Sequence, residues 1–187
     1  PEDTLPEAAK RGDLGVVQWH LAAGKSVDVP GRSGKTPLRL AASRGHVEVV
    51  GALLDGRADP TIVCNKKKSA LMDAIQGNHP GVVQKLCSSH PSLANQSVCG
   101  WLPLFVAAED GDEPEIVGIL QALLDHGANA QETNERGETP LHAQVQLTAE
   151  PGLSDAVRDV RSRKMELLAT RMSNVNVTNK KGHSPLW

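Results

Sequence analysis

The sequence predicts an all-α solenoid of stacked helix-turn-helix units joined by β-turn loops, running as a single domain over residues 1–187. Three observations carry that prediction. Leu5, Leu38, Leu71 and Leu104 recur at one unvarying interval, and the same leucine returns at Leu141 and Leu186 after wider gaps. A fixed period of this length marks a stacked-repeat architecture, and the wider later gaps mark insertions. Within a period, apolar stripes such as Val47, Val50, Leu53 and Leu54 recur at helical spacing between turn residues. The chain also has one Phe and no Tyr, so its core is built from Leu, Val, Ala and Ile. Small side chains let helices approach closely, which suits a solenoid whose units pack only on their neighbours.

Unit one, residues 3–29, reads as the amino-terminal cap. Leu5 to Lys10 forms a short inner helix, Gly12-Asp13 turns the chain, and Leu14 to Ala22 forms the outer helix. Val16, Val17 and Leu21 face the core, while Lys10, Arg11, Gln18 and His20 suit the wetted face that a cap needs. In unit two, residues 31–62, Thr36 is a helix N-cap and Pro37 occupies the first helical position, where its missing N–H does no harm. Ala41 and Ala42 let the helices lie close, and Gly45 supplies a turn suited to positive φ. Unit three, residues 64–96, has drifted. Ser69-Ala70-Leu71-Met72 replaces the capped start and Lys67 takes the turn glycine's place, so the fold rests on Leu71, Ala74, Ile75, Val82, Val83 and Leu86.

Unit four, residues 97–133, holds an insertion between Leu104 and Leu124. Glu113-Pro114-Glu115 reads as a helix start, with acid near the positive end of the dipole. The stripe continues through Ile116, Ile119, Leu120, Leu123 and Leu124, on an outer helix expected to be one turn longer than in unit two. Unit five, residues 134–178, inserts more, since Leu141 to Leu168 is a much longer stretch than its counterpart, Leu38 to Leu54. Pro151-Gly152 breaks the chain, Ser154 is an N-cap, and a helix from Asp155 to Met172 places Val157, Val160, Leu167 and Leu168 on one face. Residues 179–187 open a sixth unit. A stack ends on a polar outer face, so the fold is expected to continue beyond Trp187.

The formal net charge of −2 fits neither a general nucleic-acid binder nor a polybasic membrane binder. No apolar run approaches transmembrane length, so no direct membrane insertion is expected. Cys64, Cys87 and Cys99 are odd in number and share no short metal-type spacing. Cys87 falls one full repeat period after Leu54 and reads as a buried free thiol. Cys64 and Cys99 belong to successive loops, and a bridge would need their Cα atoms within about 7 Å. Reduced thiols favour an intracellular location, the cytoplasm first, with an organelle lumen left open.

His79, Cys87 and His90 form no ligand set, because Cys87 points inward while zinc needs converging ligands. There is no Gly-rich phosphate loop, His-Glu-x-x-His or Gly-x-Ser-x-Gly. Glu109, Asp110, Asp112 and Glu113 lack calcium-loop spacing and read as a solvated turn. No catalytic residue, bound metal or cofactor is expected.

The motifs themselves are more specific than the period. Thr36-Pro37-Leu38-Arg39-Leu40-Ala41-Ala42 is echoed by Leu102-Pro103-Leu104-Phe105-Val106-Ala107-Ala108, by Thr139-Pro140-Leu141-His142 and by Ser184-Pro185-Leu186. Gly45-His46-Val47-Glu48-Val49-Val50 leads to Leu53-Leu54 and Gly56-Arg57-Ala58-Asp59. Leu123-Leu124-Asp125-His126-Gly127-Ala128-Asn129 repeats that ending. Over nearly its whole length the chain resembles the ankyrin repeat family. The resemblance implies that His46, His126, His142 and His183 tie loops and helix starts together. It also implies protein binding on the concave side, through loop tips and the ends of the inner helices.

By that register, Arg32, Lys35, Arg39, Arg44, Lys66, Lys67 and Lys68 form a basic end on units two and three. Arg39 replaces the usual motif histidine there. Glu109, Asp110, Glu135, Arg136 and Glu138 line units four and five, predominantly acidic. This polarity either steers a partner segment into register or is ordinary solvated surface. Trp101 takes the slot that holds Lys35 and Glu138 in other units, and is either an interface anchor or a ring folded over Phe105 or Val98. The expected role is a non-catalytic protein-protein interaction module, a scaffold or small subunit of a hetero-complex, with the lengthened outer helices as a second surface. The alternative is a regulatory or targeting domain of a longer enzyme or channel chain. A nucleic-acid or phosphoinositide contact through Lys66-Lys67-Lys68 is a third reading. Without an interleaved aromatic platform, acidic protein suits the basic end better than nucleic acid.

Overall fold

A computed structural model describes residues 3–63, 68–98, 100–148 and 152–185. Cys64, Lys66, Lys67, Cys99, Pro151, Leu186 and Trp187, named above, lie outside the described residues. Among the described residues there are ten α-helices: α1 Leu5–Arg11, α2 Leu14–Ala22, α3 Pro37–Ala42, α4 Val47–Asp55, α5 Ala70–Gln76, α6 Pro80–Ser89, α7 Pro103–Glu109, α8 Glu115–Asp125, α9 Pro140–Thr148 and α10 Asp155–Thr170. A 3-10 turn, Pro91–Asn95, follows α6. The inner helices α1, α3, α5, α7 and α9 pack in succession, and the outer helices α2, α4, α6, α8 and α10 do the same beside them. The fold is an all-α repeat solenoid.

Short polar side chains start several of these helices. Thr4, Asp13, Thr36, Ser69 and Ser154 each accept a hydrogen bond from the backbone N–H three positions on. Each satisfies one of the orphan donors of a helix N-terminus. The expectation that unit three had lost its capped start is therefore corrected, since Ser69 caps α5 as Thr36 caps α3, without the following proline.

Paired alanines set the close approach of the inner helices. Ala8, Ala9, Ala41, Ala42, Ala74, Ala107 and Ala108 are wholly buried. Behind them Val50, Leu53, Val82, Val83, Leu86, Ile119, Leu120 and Leu123 fill the space between the two helix rows. Val47 and Leu54 are only partly buried, and Val49 joins the core in their place.

Turn glycines and histidines interlock between successive units. Gly12 and Gly45 have φ of 80° and 76°, in the left-handed region. A Cβ on either would lie 2.7 Å from the ring of His46 or His79, the histidine one unit on. His46 Nε2 donates to the carbonyl of Lys10 at 3.2 Å, and His126 Nε2 lies 3.3 Å from Ser88 Oγ. His142 Nδ1 accepts from the Thr139 N–H, while its Nε2 faces the carbonyl of His183 at 3.1 Å. These rings bind one unit to the next, in the manner implied by the family motifs.

His20 departs from expectation. Rather than facing water it is 3% exposed, because its Nε2 donates to the carbonyl of Asp3 at 2.7 Å. The wetted position passes to Trp19, whose ring packs edge-on to His20 and carries Lys25 Nζ 5.0 Å from its centroid. Helix α8 has 11 residues and α4 has 9, so it is half a turn longer rather than a full turn. The rest of the unit-four insertion is shared between α7, which is longer than α3, and the connection from α7 to α8.

Helix α10 follows its Ser154 cap as expected, but its buried face includes two cations, Arg161 and Lys164, beside Val160 and Leu168. Arg161 grips Asp112 with Nε and Nη2, both at 2.8 Å, and its Nη1 donates to the carbonyl of Leu147. Lys164, 1% exposed, donates to the carbonyls of Ala108, Asp110 and Gly111 at 3.2, 3.2 and 2.8 Å. Gln144, buried in α9, also donates to Ala108. The acidic turn is thus not simply solvated. Its backbone is capped by a lysine from the inserted helix of the next unit, and Asp112 is ion-paired. No helix of the described residues is long and apolar enough to cross a membrane.

Candidate protein-binding surface

The face formed by the loop tips and inner-helix ends holds most of the residues singled out by register, in two separate regions. The basic region is thinner than expected. Arg32 and Arg44 are exposed. Lys35 is half-buried, with Nζ 3.3 Å from Asp73 Oδ1. Lys68 is also half-buried and donates to Gln76 Oε1. Lys66 and Lys67 are outside the described residues.

Arg39 is the clear correction. It is 1% exposed, with Nε 2.8 Å and Nη2 2.6 Å from Asp73 Oδ2, so it is not displayed to a partner. The physical reason is the inner-helix contact between α3 and α5, which carries Asp73 onto the guanidinium. A buried charge without such a partner would be costly.

The second region is an open groove of about 880 Å³ between units four and five. Trp101, Leu102, Phe105 and Glu109 line one side, residues 132–136 and Glu138 the other, and Ala143, Gln146 and Leu147 the end of α9. Trp101 is 59% exposed, while Phe105 beneath the same groove is 5% exposed. Trp101 is held through its backbone: its N–H donates to Val98 and its carbonyl accepts from Val98, at 3.1 and 3.0 Å. Gly100, with φ of 83°, makes that tight turn possible.

Asn134 ties the opposite wall together. Its Oδ1 accepts from the N–H groups of Arg136 and Glu138 at 2.9 and 3.0 Å, and its Nδ2 donates to Glu138 Oε2 at 3.1 Å. Gln146 Nε2 reaches Glu138 Oε1 at 3.3 Å. The Asn134 hydrogen bond, helped by Gln146, holds the Glu138 carboxyl below its ordinary pKa and keeps it charged at neutral pH.

The groove therefore gathers Trp101, Glu109, Glu135, Arg136 and Glu138 from the residues named by register. It leaves out Asp110, whose carbonyl is occupied by Lys164. Glu132 was not among the sequence candidates, although it lies in the loop leading to the same tip. Arg161 and Lys164 were missed as well. The available signal was two cations at i and i+3 on the stripe that also carries Val157, Val160 and Leu168. Among the described residues, no group of three or more His, Cys, Asp or Glu side chains is placed to hold a metal ion.

Comparison with known proteins bears on this arrangement. Residues 5–95 match the family model for ankyrin repeats in three copies. The chain is 28% identical over 170 residues to the ankyrin repeat protein YahD of Escherichia coli (strain K12), covering 72% of this chain and 84% of that protein. It is 32% identical over 131 residues to the ankyrin repeat and KH domain-containing protein mask-1 of Caenorhabditis elegans, covering 67% of this chain. The potassium channel AKT2/3 of Arabidopsis thaliana is 31% identical over 134 residues, 70% of this chain. The stretch matched is 5% of mask-1 and 16% of the channel.

Proposed function

The chain belongs to the ankyrin repeat family, whose repeats are protein-interaction modules, and we propose that it acts as a non-catalytic scaffold or small subunit of a larger intracellular complex. The observation that most supports this reading is Trp101. A large aromatic side chain, 59% exposed on a backbone paired with Val98, stands at a groove between units four and five. Tryptophan is enriched among the residues that dominate interface energetics. A surface already ordered before binding loses little conformational entropy when it is filled. The outer helices α8 and α10 offer a second surface, by which the same module would dock into an assembly while its loop-tip face stays free.

A second reading has its own support. The potassium channel relative contains a matching stretch as a small part of a much longer protein, so the chain also suits a regulatory or targeting domain of an enzyme or channel. Affinity capture of the full gene product from its native lysate, at moderate and high salt, separates the two. Stoichiometric partner proteins that survive high salt and are lost with Trp101→Ala support the scaffold. Catalytic or membrane-spanning sequence in the same polypeptide would transfer the role to the longer chain. Recovery of no partner under either condition would count against a binding module altogether.

A further inference from the structure

The groove beside Trp101 has a chemistry that selects among possible partner segments. Its apolar lining comes from Trp101, Leu102, Phe105 and Leu147. Among the described residues, four carboxylates, those of Glu109, Glu132, Glu135 and Glu138, stand around it against the guanidinium of Arg136, and no lysine lines it. Glu138 is tied to Asn134 and Gln146, but Glu109, Glu132 and Glu135 have no ion-pair partner among the described residues. An exposed indole ring thus stands in a groove whose described lining carries more negative than positive charge.

Resting on the reading of this chain as a protein-binding module, we propose that the groove receives an extended segment of a partner protein bearing an arginine, whose guanidinium lies on the Trp101 ring and pairs with the surrounding glutamates. Arginine fits both halves of the site. Its planar cation stacks on an aromatic face, and its fixed fork of donors matches a carboxylate in two-point contact. A lysine ammonium is a more strongly hydrated point charge and gains less from the ring. An acidic segment or a nucleic-acid backbone would bring like charge against four carboxylates, which rules both out as the occupant. Apolar neighbours of the arginine would cover Leu102 and Leu147, while Arg136 at the rim orients the segment by excluding a second cation from that edge. Because the carboxylates are at the surface, they accelerate association and lose influence as salt rises.

A random decapeptide display selection on the whole chain tests this, followed by affinity measurement of the enriched peptides in synthetic form. The expected outcome is enrichment of peptides that share an arginine beside apolar residues. Replacing that arginine by neutral, isosteric citrulline should weaken binding at least about tenfold, a readout that needs no change in the protein. Trp101→Ala should weaken it by about thirtyfold, as for a hot-spot tryptophan. The Glu109→Gln, Glu135→Gln pair should weaken it several-fold at low salt, with little effect at high salt; both residues are exposed, so their thermal unfolding should match the parent chain. Enriched peptides that are acidic or lack arginine would overturn the proposal. So would arginine peptides indifferent to both citrulline and Trp101→Ala, or a selection that enriches nothing. If the lysate capture still returns partners in those cases, the binding-module reading stands and only this groove assignment falls.

Discussion

Arg39 illustrates what a register argument misses at the scale of one residue. Its position on the inner helix led to an expectation of display, yet its guanidinium is buried against Asp73, one helix across the stack. The clue in the sequence was an acid just over one period downstream, among the apolar residues Ala70, Leu71, Met72, Ala74 and Ile75 of α5. Removing one member of a buried pair leaves an uncompensated charge, which typically costs about 3–5 kcal/mol. Arg39→Ala should accordingly lower unfolding free energy by about 3 kcal/mol in a urea titration, with Lys35 near Asp73 keeping the loss at the lower end. Arg39→Met combined with Asp73→Leu should recover most of it. If Arg39→Ala were neutral, the pair would not be a structural element. Cys87 was more legible, because its distance from Leu54 equals the repeat period; the core-facing side repeats with it, although Leu54 is only partly buried and Cys87 wholly so. Burial raises its thiol from 9.0 to about 11, so the thiolate is scarce at pH 8. Mass mapping after native alkylation at pH 8 should find Cys87 unmodified until denaturant is added.

At the scale of elements, the insertion in unit five is a docked helix whose anchor is polar. The Ser154 cap and the Asp155 start of α10 were readable from local rules, since capping needs only adjacent residues. Its packing was not, because apolar periodicity gives no weight to buried cations. Lys164 caps the carbonyl end of α7, and Arg161 fixes the turn that follows through Asp112. Lys164→Met would leave three carbonyls without that donor, at a cost of about 2 kcal/mol. Amide exchange in α9 and α10 should then accelerate by about thirtyfold, while α3 to α6 keep their protection. Uniform acceleration through the whole chain would argue against a locally anchored helix.

The same contact has a pH signature. The Arg161 hydrogen bonds hold the Asp112 carboxyl below its ordinary value, with burial acting in the opposite direction. A depressed carboxylate contributes stability fully above the unfolded aspartate value, near 4, and loses it as pH falls through the lower folded value. Protection of α10 should therefore decline with acid in that window. Asp112→Asn should flatten the dependence; an unchanged profile would assign it to another group.

For the molecule as a whole, the repeat period was legible because each unit must present the same leucine and the same small residues to its neighbour. The match to ankyrin repeats covers residues 5–95, and the insertions lie in the half that follows. The groove lies in that second half, where Trp101 replaces a charged residue at the tip and Asn134 ties the opposite wall together. Sequence register placed the tips side by side but said nothing of the depth between them, which depends on how α7 and α9 pack. The basic end, by contrast, was overcounted, since register cannot distinguish a displayed cation from one committed to an internal acid.

The most direct test of the account is a hydrogen-exchange footprint of the full chain with the partner most firmly retained in affinity capture. The account predicts slowed exchange across residues 97–105 and 132–147, around Trp101 and the Asn134 tip, with the outer helices α4 and α6 unchanged. Protection confined to the outer faces of α8 and α10, with the Trp101 groove exchanging as freely as in the unbound chain, would contradict it.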